Sequence, residues 1–207
     1  MSEEDDRPAS SRAATWDARH AAHDPIESHE PDATLVAEVG DLRPGRALDL
    51  ATGDGRNAIW LAGQGWQVTA VDFSSVALDR ARTSALAAGV DVDWIEADLL
   101  DWAPPPSVFD LVSIVFLHLP PDERRAVYER AAAAVRPGGS LLVVGHDRSN
   151  LVDGVGGPQD ATVLFTPAEV AAELTGFSVV KSEVIRRGTT ESHGPLDAVV
   201  HAVRAPR

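Results

Sequence analysis

Two glycines between a short apolar run and a helix-like segment constrain the fold of this chain more than any other feature. The segment reads Ala47-Leu-Asp-Leu-Ala-Thr-Gly-Asp-Gly-Arg-Asn-Ala-Ile-Trp-Leu-Ala62. Residues 47–51 predict a buried strand, Gly53 and Gly55 a tight turn, and the residues after them the first turns of a helix. The next apolar run ends in an acid, Asp72. This order is typical of a nucleoside-cofactor site at the edge of an α/β sheet.

Strand-like and helix-like segments alternate from this turn as far as His146. The alternation predicts a Rossmann-like α/β fold, in which helices cover both faces of a mainly parallel sheet. The predicted strands lie at 47–51, 67–71, 92–96, 109–117 and 140–145, and the predicted helices at about 56–64, 74–88 and 121–135.

The pattern changes after His146. A segment with several Gly, Asp and Pro residues, 147–165, predicts a substrate-side loop or lid, and a short helix follows at about 167–174. Two extended runs, 176–186 and 196–204, come next without a helix-length segment between them. We expect them to pair antiparallel at the sheet edge, which gives seven strands with an antiparallel last strand.

The length of 207 residues suits one domain with a full core. Residues 1–11 are acidic and polar and predict a disordered tail. We expect a single domain over 12–207, in which the helical signals of 12–40 form an N-terminal cap.

Composition narrows the possible partners. A net charge of −14 opposes binding to nucleic acid or to anionic membranes. The absence of cysteine excludes disulfides and thiolate metal sites, and the histidines lack ligand-like spacing with carboxylates, so no metal is expected. No apolar run approaches the roughly 18 residues of a membrane span, and the N-terminus is unlike a secretory signal. We therefore expect a cytoplasmic monomer or homodimer that acts on a small molecule.

Two acids, Asp49 and Asp98, favour S-adenosylmethionine (SAM) over NAD as the cofactor. The glycine turn and Asp72 fit both cofactors, since Asp72 follows Gly53 by 19 residues, as expected for an acid that binds ribose hydroxyls. Asp49, however, places a carboxylate at the end of an apolar strand, where it would repel a pyrophosphate and attract an ammonium group. Asp98 ends the third strand and can accept from an adenine amine, although Asp101 competes for this role.

Two apolar residues and the absence of a hydride-transfer motif also bear on the choice between SAM and NAD. Phe73 and Leu99 follow the second and third strands and are equally consistent with adenine walls and with ordinary packing. The hydride-transfer pair Tyr-x-x-x-Lys is absent, because Tyr128 is the sole tyrosine. An NAD(P)-dependent oxidoreductase therefore lacks a visible proton donor.

From about Trp16 to Val203 the chain resembles the class I SAM-dependent methyltransferases, in particular small bacterial members of the tellurite/thiopurine-resistance type. The segment Asp49-Leu-Ala-Thr-Gly-Asp-Gly55 is similar to the family's first motif, with Ala51 in place of its first glycine. Val71-Asp-Phe-Ser74 resembles the ribose motif and Ala97-Asp-Leu99 the adenine motif. Residues 109–120 and 135–139 resemble the fourth strand and the turn before the fifth.

The resemblance implies that the N-terminal cap folds over the cofactor, with Trp16 packing on it and Arg19 near the methionine carboxylate. A surface helix with one anchoring aromatic is the alternative for this segment. The implied cofactor-binding residues are Trp16, Arg19, Asp49, Ala51, Gly53, Gly55, Asp72, Phe73, Asp98, Leu99 and Val115.

The implied reaction is transfer of the SAM methyl group to a small-molecule nucleophile, which leaves S-adenosylhomocysteine (SAH). A sulfur, selenium or tellurium acceptor needs no general base, whereas an oxygen or nitrogen acceptor can need one. His146 and His118, which follow the fifth and fourth strands, are the candidate bases, and hydrogen-bonded structural histidines are the alternative. A SAM-binding regulatory or partner module without turnover is a further alternative.

Overall fold

The computed structural model describes residues 30–188 and 194–206. Within them, six helices surround one seven-stranded sheet of order β3-β2-β1-β4-β5-β7-β6. The strands are β1 (Arg46–Leu50), β2 (Gln67–Asp72), β3 (Asp93–Glu96), β4 (Phe109–Val115), β5 (Val135–His146), β6 (Phe177–Arg186) and β7 (Leu196–Arg204). The helices are α1 (Ala33–Val39), α2 (Arg56–Gly63), α3 (Ser75–Ala88), α4 (Pro121–Ala134), α5 (Asn150–Asp153) and α6 (Pro167–Glu173).

Strand direction confirms the predicted sheet. The strands β1 to β5 pair in parallel, whereas β7 is antiparallel to both β5 and β6. The central strands are buried on both faces, which explains their continuous apolar runs. Strand β6 lies at the edge and is largely exposed.

Three features differ from the expected pattern by more than a shift of one residue at an element end. Helix α4 ends at Ala134, and β5 begins at Val135, because the Pro137-Gly-Gly139 segment continues the strand through a register shift instead of forming a separate turn. Strand β4 ends at Val115 because Phe116 has a positive φ of 62°. The segment 147–165 also contains the short helix α5, which the sequence pattern did not predict.

Only the last part of the predicted N-terminal cap falls within the described residues. Asp32 caps α1 by accepting hydrogen bonds from the Thr34 and Leu35 N–H groups, and its own N–H donates to Asn57 Oδ1 on α2. Leu35 is fully buried against the sheet. The tail at 1–11, the cofactor residues Trp16 and Arg19, and the rest of the cap lie outside the described residues.

Apolar packing on both faces fixes the sheet. One face carries α4 and α6, where Tyr128 and Phe165 are among the largest fully buried side chains. The other face carries α1 and α2, with Leu61 and Trp66 in its core. None of the described helices combines the length and the apolar character required to cross a membrane.

The topology brings several strand termini to one edge. Strands β1, β2, β4 and β5 run in the same direction, so their carboxyl ends lie side by side. Strand β7 runs the other way and therefore begins at this edge, where Asp197 pairs with His146 in the β5–β7 register. Residues from distant parts of the sequence thus converge there.

Gly145 on β5 tests how tightly this edge is packed. A Cβ at Gly145 would lie 2.5 Å from Cζ of the buried Phe165, so we expect Gly145→Ala to lower the free energy of unfolding by about 1–3 kcal/mol. Urea unfolding followed by circular dichroism measures this change.

Gly63→Ala is the matched control. Gly63 ends α2, and a Cβ there meets no atom within 4 Å. Helix propensity then raises the free energy of unfolding by up to about 1 kcal/mol. Changes of the same sign in the two variants would contradict this account of the packing.

Candidate cofactor and acceptor site

The glycine turn after β1 has the backbone conformation that the sequence predicts. Gly53 and Gly55 have positive φ angles of 55° and 78°. A Cβ at Gly55 would lie 2.6 Å from the Trp94 ring and 2.8 Å from the Ala81 Cβ, whereas the space at Gly53 is open. The turn therefore holds α2 close to its neighbours and leaves the Gly53 side accessible to a ligand.

Ala51 also adopts a left-handed conformation, with φ of 57°. This position corresponds to the motif glycine that alanine replaces. A non-glycine residue in this region costs roughly 1–2 kcal/mol, so the turn adopts a glycine-like backbone conformation at the expense of local strain. The Thr52 N–H donates to the Val71 carbonyl of β2 at 3.1 Å and secures the strained turn.

Asp49 is buried at the centre of the edge, with 1 % of its surface exposed. Its Oδ1 accepts a hydrogen bond from the Ser113 hydroxyl at 2.7 Å, and its Oδ2 accepts one from the Thr52 hydroxyl at 2.6 Å. Burial raises the pKa of Asp49 to about 6, although the two hydroxyl groups act in the opposite direction. The ionised carboxylate is thus under-stabilised in the protein alone and suited to a cationic ligand group.

Asp72 has a second function that sequence reasoning missed. Its Oδ2 accepts from the Gly53 N–H at 2.8 Å, and its Oδ1 accepts from the Ser74 N–H at 2.9 Å. The carboxylate therefore joins the two turns that follow β1 and β2. The ribose-binding role of Asp72 stays a prediction. Ser74 caps α3 by accepting from the Ala77 N–H.

The predicted adenine-side residues follow β2 and β3. Asp98 accepts from the Leu100 N–H at 2.9 Å, while Asp101 is exposed. Leu99 is buried within the core, and Phe73 is half-buried. Arg130 of α4 donates to the carbonyls of Leu99 and Leu100, and this interaction fixes the loop.

Val115 ends β4 and is nearly buried, which places it beside the ends of β1 and β5. The next residue, Phe116, has the positive φ already noted, and its N–H donates to the Val144 carbonyl at 2.7 Å. A bulky residue in this conformation is strained, and such strain is concentrated at functional sites.

The two predicted bases, His118 and His146, lie against each other. Their rings stack with centroids 5.3 Å apart and an interplanar angle of 17°. His118 Nε2 accepts a hydrogen bond from the backbone N–H of His146 at 2.9 Å. Burial, together with the neighbouring His146, lowers the pKa of His118 to about 4. This geometry favours a structural role for His118 over the predicted role of general base.

His146 has a partner that sequence reasoning did not identify. Its Nδ1 lies 3.1 Å from Oδ1 of the fully buried Asp197. Arg187 Nε donates to Asp197 Oδ2 at 2.7 Å. Burial alone would raise the pKa of Asp197, but His146 and Arg187 outweigh it and hold that pKa below its ordinary value. The sequence signal for Asp197 was an acid within the largely apolar strand β7. Asp49 gives the same signal in β1.

The predicted lid, 147–165, is anchored at both ends. The Asp147 N–H donates to the Leu196 carbonyl at 2.9 Å, and Arg148 N–H donates to the carbonyl of the buried Phe165 at 3.2 Å. Asn150 ties the middle of the segment, because its Nδ2 donates to the Gly156 carbonyl. Most of the intervening residues are exposed, so the role of this segment as a lid stays a prediction.

Comparisons with known proteins bear on the family and the fold of this chain. The model of a family described as methyltransferase domain matches residues 47–139. A trans-aconitate 2-methyltransferase of Rhizobium meliloti is 33% identical over 132 residues, which cover 62% of this chain and 49% of that protein. A ubiquinone biosynthesis O-methyltransferase of Xylella fastidiosa is 32% identical over 144 residues, 67% of this chain and 56% of that protein.

A solved structure of a SAM-dependent methyltransferase from Methanosarcina mazei superimposes with a TM-score of 0.69 at 20% identity, covering 83% of this chain and 98% of that chain. This likeness confirms the predicted Rossmann-like fold. The chain spans about half the length of the curated relatives that it matches.

The raised pKa of Asp49 has a measurable consequence for stability. The unfolded chain releases this proton near pH 4 and the folded protein near pH 6, so the contribution of Asp49 falls as pH rises through this interval. We expect Asp49→Asn, which does not titrate, to exceed the wild type in free energy of unfolding by up to about 3 kcal/mol at pH 8. Near pH 4.5 the difference becomes much smaller. Urea unfolding at the two pH values measures it.

Asp122→Asn serves as the control, because the Asp122 side chain is 96% exposed on α4. We expect the free energy of unfolding of Asp122→Asn to differ from that of the wild type by nearly the same amount at the two pH values. A pH-independent effect of Asp49→Asn would show that burial does not raise the pKa of this carboxyl.

Proposed function

We infer that this chain is a class I methyltransferase, an enzyme that transfers the methyl group of SAM to a small-molecule acceptor and releases SAH. The match of residues 47–139 to the methyltransferase domain family and the seven-stranded sheet support the class. One observation carries the choice of cofactor: Asp49 is buried at the end of β1 with hydroxyl groups as its hydrogen-bond partners. The ammonium group of SAM supplies the positive charge that this carboxylate lacks.

The other proposed cofactor-binding residues are assigned to parts of SAM from their positions at the strand ends. The turn of Ala51, Gly53 and Gly55 exposes backbone to the methionine end, and Val115 lies under the cofactor at the end of β4. Asp72 accepts hydrogen bonds from the ribose hydroxyls. On the adenine side, Asp98 accepts from the amine, and Phe73 and Leu99 contact the ring. Trp16 and Arg19 lie outside the described residues, and the resemblance alone suggests that they contribute to cofactor binding.

Bound SAM supplies an activated methyl group on a sulfonium. The protein therefore has to align the acceptor with that methyl group and exclude water. We propose that segment 147–165 covers the acceptor side, and its two anchored ends support this role. The cap predicted over residues 12–40 is proposed to close the cofactor side.

The acceptor is the finer part of the proposal. The resemblance to the tellurite/thiopurine-resistance type suggests a soft acceptor atom, and the two named relatives suggest an oxygen acceptor. The net charge of −14 argues against nucleic acid as a substrate. A cytoplasmic monomer or homodimer is the form that we propose for the enzyme.

Isothermal titration with SAM, SAH and NAD tests the cofactor. We expect micromolar binding of SAM and SAH, and no heat with NAD. Asp49→Asn and Asp72→Asn weaken the binding of SAM at least about tenfold, because each removes a charge-assisted contact. In Asp49→Asn this loss accompanies a gain in stability, so unfolding cannot explain it.

Asp79→Asn is the matched control, since Asp79 is an exposed acid of α3 that pairs with Arg82. It binds SAM as the wild type does. Binding of NAD in place of SAM would support the oxidoreductase alternative, and unaltered SAM affinity in Asp49→Asn would remove the main support for the proposed site.

Turnover separates an enzyme from a binding module. With methyl-labelled SAM we expect SAH to form in the presence of one acceptor class among tellurite, thiophenol, catechol and trans-aconitate. Label transfer and SAH are both followed by chromatography. SAM binding that depends on Asp49, combined with no transfer to any of the four compounds, would favour the module without turnover.

A further inference from the structure

We propose that Asp197, held by Arg187, fixes His146 as the general base for an acceptor that carries a hydroxyl group. The inference rests on the proposed function and deepens it by naming the acceptor class. Asp197 is a positioning residue, because it acts through His146. Neither Asp197 nor Arg187 belongs to the motifs from which the cofactor site was predicted.

The carboxylate sets the tautomer of the histidine. Asp197 Oδ1 lies 3.1 Å from His146 Nδ1, which is an ion-pair distance without the alignment of a regular hydrogen bond. A carboxylate oxygen this close repels a nitrogen lone pair and favours a proton on the ring nitrogen beside it. Nδ1 therefore carries the proton in the neutral ring, and the lone pair is at Nε2. Arg187 donates to both oxygens of Asp197, at 2.7 Å and 3.4 Å, and keeps this carboxylate charged and oriented.

The surroundings of the His146 ring hold it in place. His118 stacks on the ring and accepts the backbone N–H of His146, so its own Nε2 is unavailable as a base. The ring of Phe116 lies 5.2 Å from that of His146, centroid to centroid, and the Arg187 guanidinium lies 4.7 Å from the Phe116 centroid. Arg187 thus contacts both the strained residue that follows β4 and the carboxylate of the second residue of β7.

The segment proposed to cover the acceptor packs directly on the His146 ring. A Cβ at Gly157 would lie 2.6 Å from Cδ2 and 2.8 Å from Nε2 of His146, and Gly157 has a positive φ of 74°. The same segment is tied to β7 through Asn150, which donates to the Gly156 carbonyl and accepts from the Leu196 N–H beside Asp197. The His146 ring is therefore in contact with the segment that we propose lies over the acceptor.

This arrangement serves a hydroxyl acceptor. His146 Nε2 takes the hydroxyl proton as the oxygen forms a bond to the methyl carbon of SAM. The carbon–sulfur bond breaks with its electron pair on sulfur, which yields SAH and the methyl ether. The proton stays on His146 as an imidazolium next to Asp197 and then leaves to solvent. A thiolate or tellurite acceptor has no such proton to lose and would make no use of the pair.

Nitrogen NMR of the histidine side chains tests the tautomer without any acceptor. In 15N-histidine-labelled protein above neutral pH, we expect His146 to have a protonated Nδ1 and an unprotonated Nε2, with its signals assigned by their loss in His146→Gln. In Asp197→Asn the amide offers a donor to Nδ1, so the population with a protonated Nε2 rises. Arg187→Gln shows a smaller change, and Asp122→Asn shows none. A wild-type His146 protonated at Nε2, or one that is unaffected by Asp197→Asn, would overturn the proposal.

Methyl transfer tests the acceptor class. We expect the ratio of catechol to thiophenol methylation rates to fall at least about 10-fold in Asp197→Asn and by about 10²- to 10⁴-fold in His146→Gln. The SAM affinity measured by titration stays close to that of the wild type in both variants, which shows that they fold. Methylation of thiophenol but not catechol by the wild type would overturn the hydroxyl assignment and leave the methyltransferase proposal standing. If the wild type does not bind SAM, the proposed function itself is refuted.

Discussion

The hydrogen bond from Ser113 to Asp49 joins the two central strands at the edge where the site is assembled. Asp49 and Ser113 are opposite each other in the β1–β4 register, and both are buried. A slip of one residue would place the carboxylate on the other face of the sheet against apolar side chains, which is very unfavourable. The same contact therefore fixes the strand register and the position of the Asp49 carboxylate next to the glycine turn.

Several destabilising features lie close together at the edge formed by the carboxyl ends of the parallel strands. A buried carboxylate has its pKa raised to about 6, and Ala51 and Phe116 both have positive φ angles. The surrounding sheet tolerates them because it is buried on both faces and closely packed. Strain and unmatched charge at a strand edge are the expected cost of a preorganised binding site. A cationic ligand group at Asp49 recovers part of this cost on binding.

The antiparallel β7 adds a second set of groups to the edge. A parallel strand at this place would present its carboxyl end, whereas β7 begins here and brings in Asp197 opposite His146. The aromatic rings of Phe116, His118 and His146 then pack around a charged pair that the first five strands do not supply. The proposed cofactor side and the proposed acceptor side of the edge thus come from different parts of the topology.

The sequence by itself determined the strand alternation, the glycine turn and the acids at positions 49 and 72, because each depends on spacing within one strand–turn–helix unit. Only the tertiary structure decided that Asp72 holds the N–H of Gly53, that His118 supports His146, and that Asp197 contacts His146. These contacts depend on which strands are neighbours and in what register, and separations of 19, 28 and 51 residues along the chain carry no local pattern for that. Packing of the whole sheet determines which strands are neighbours, and single motifs do not encode this order.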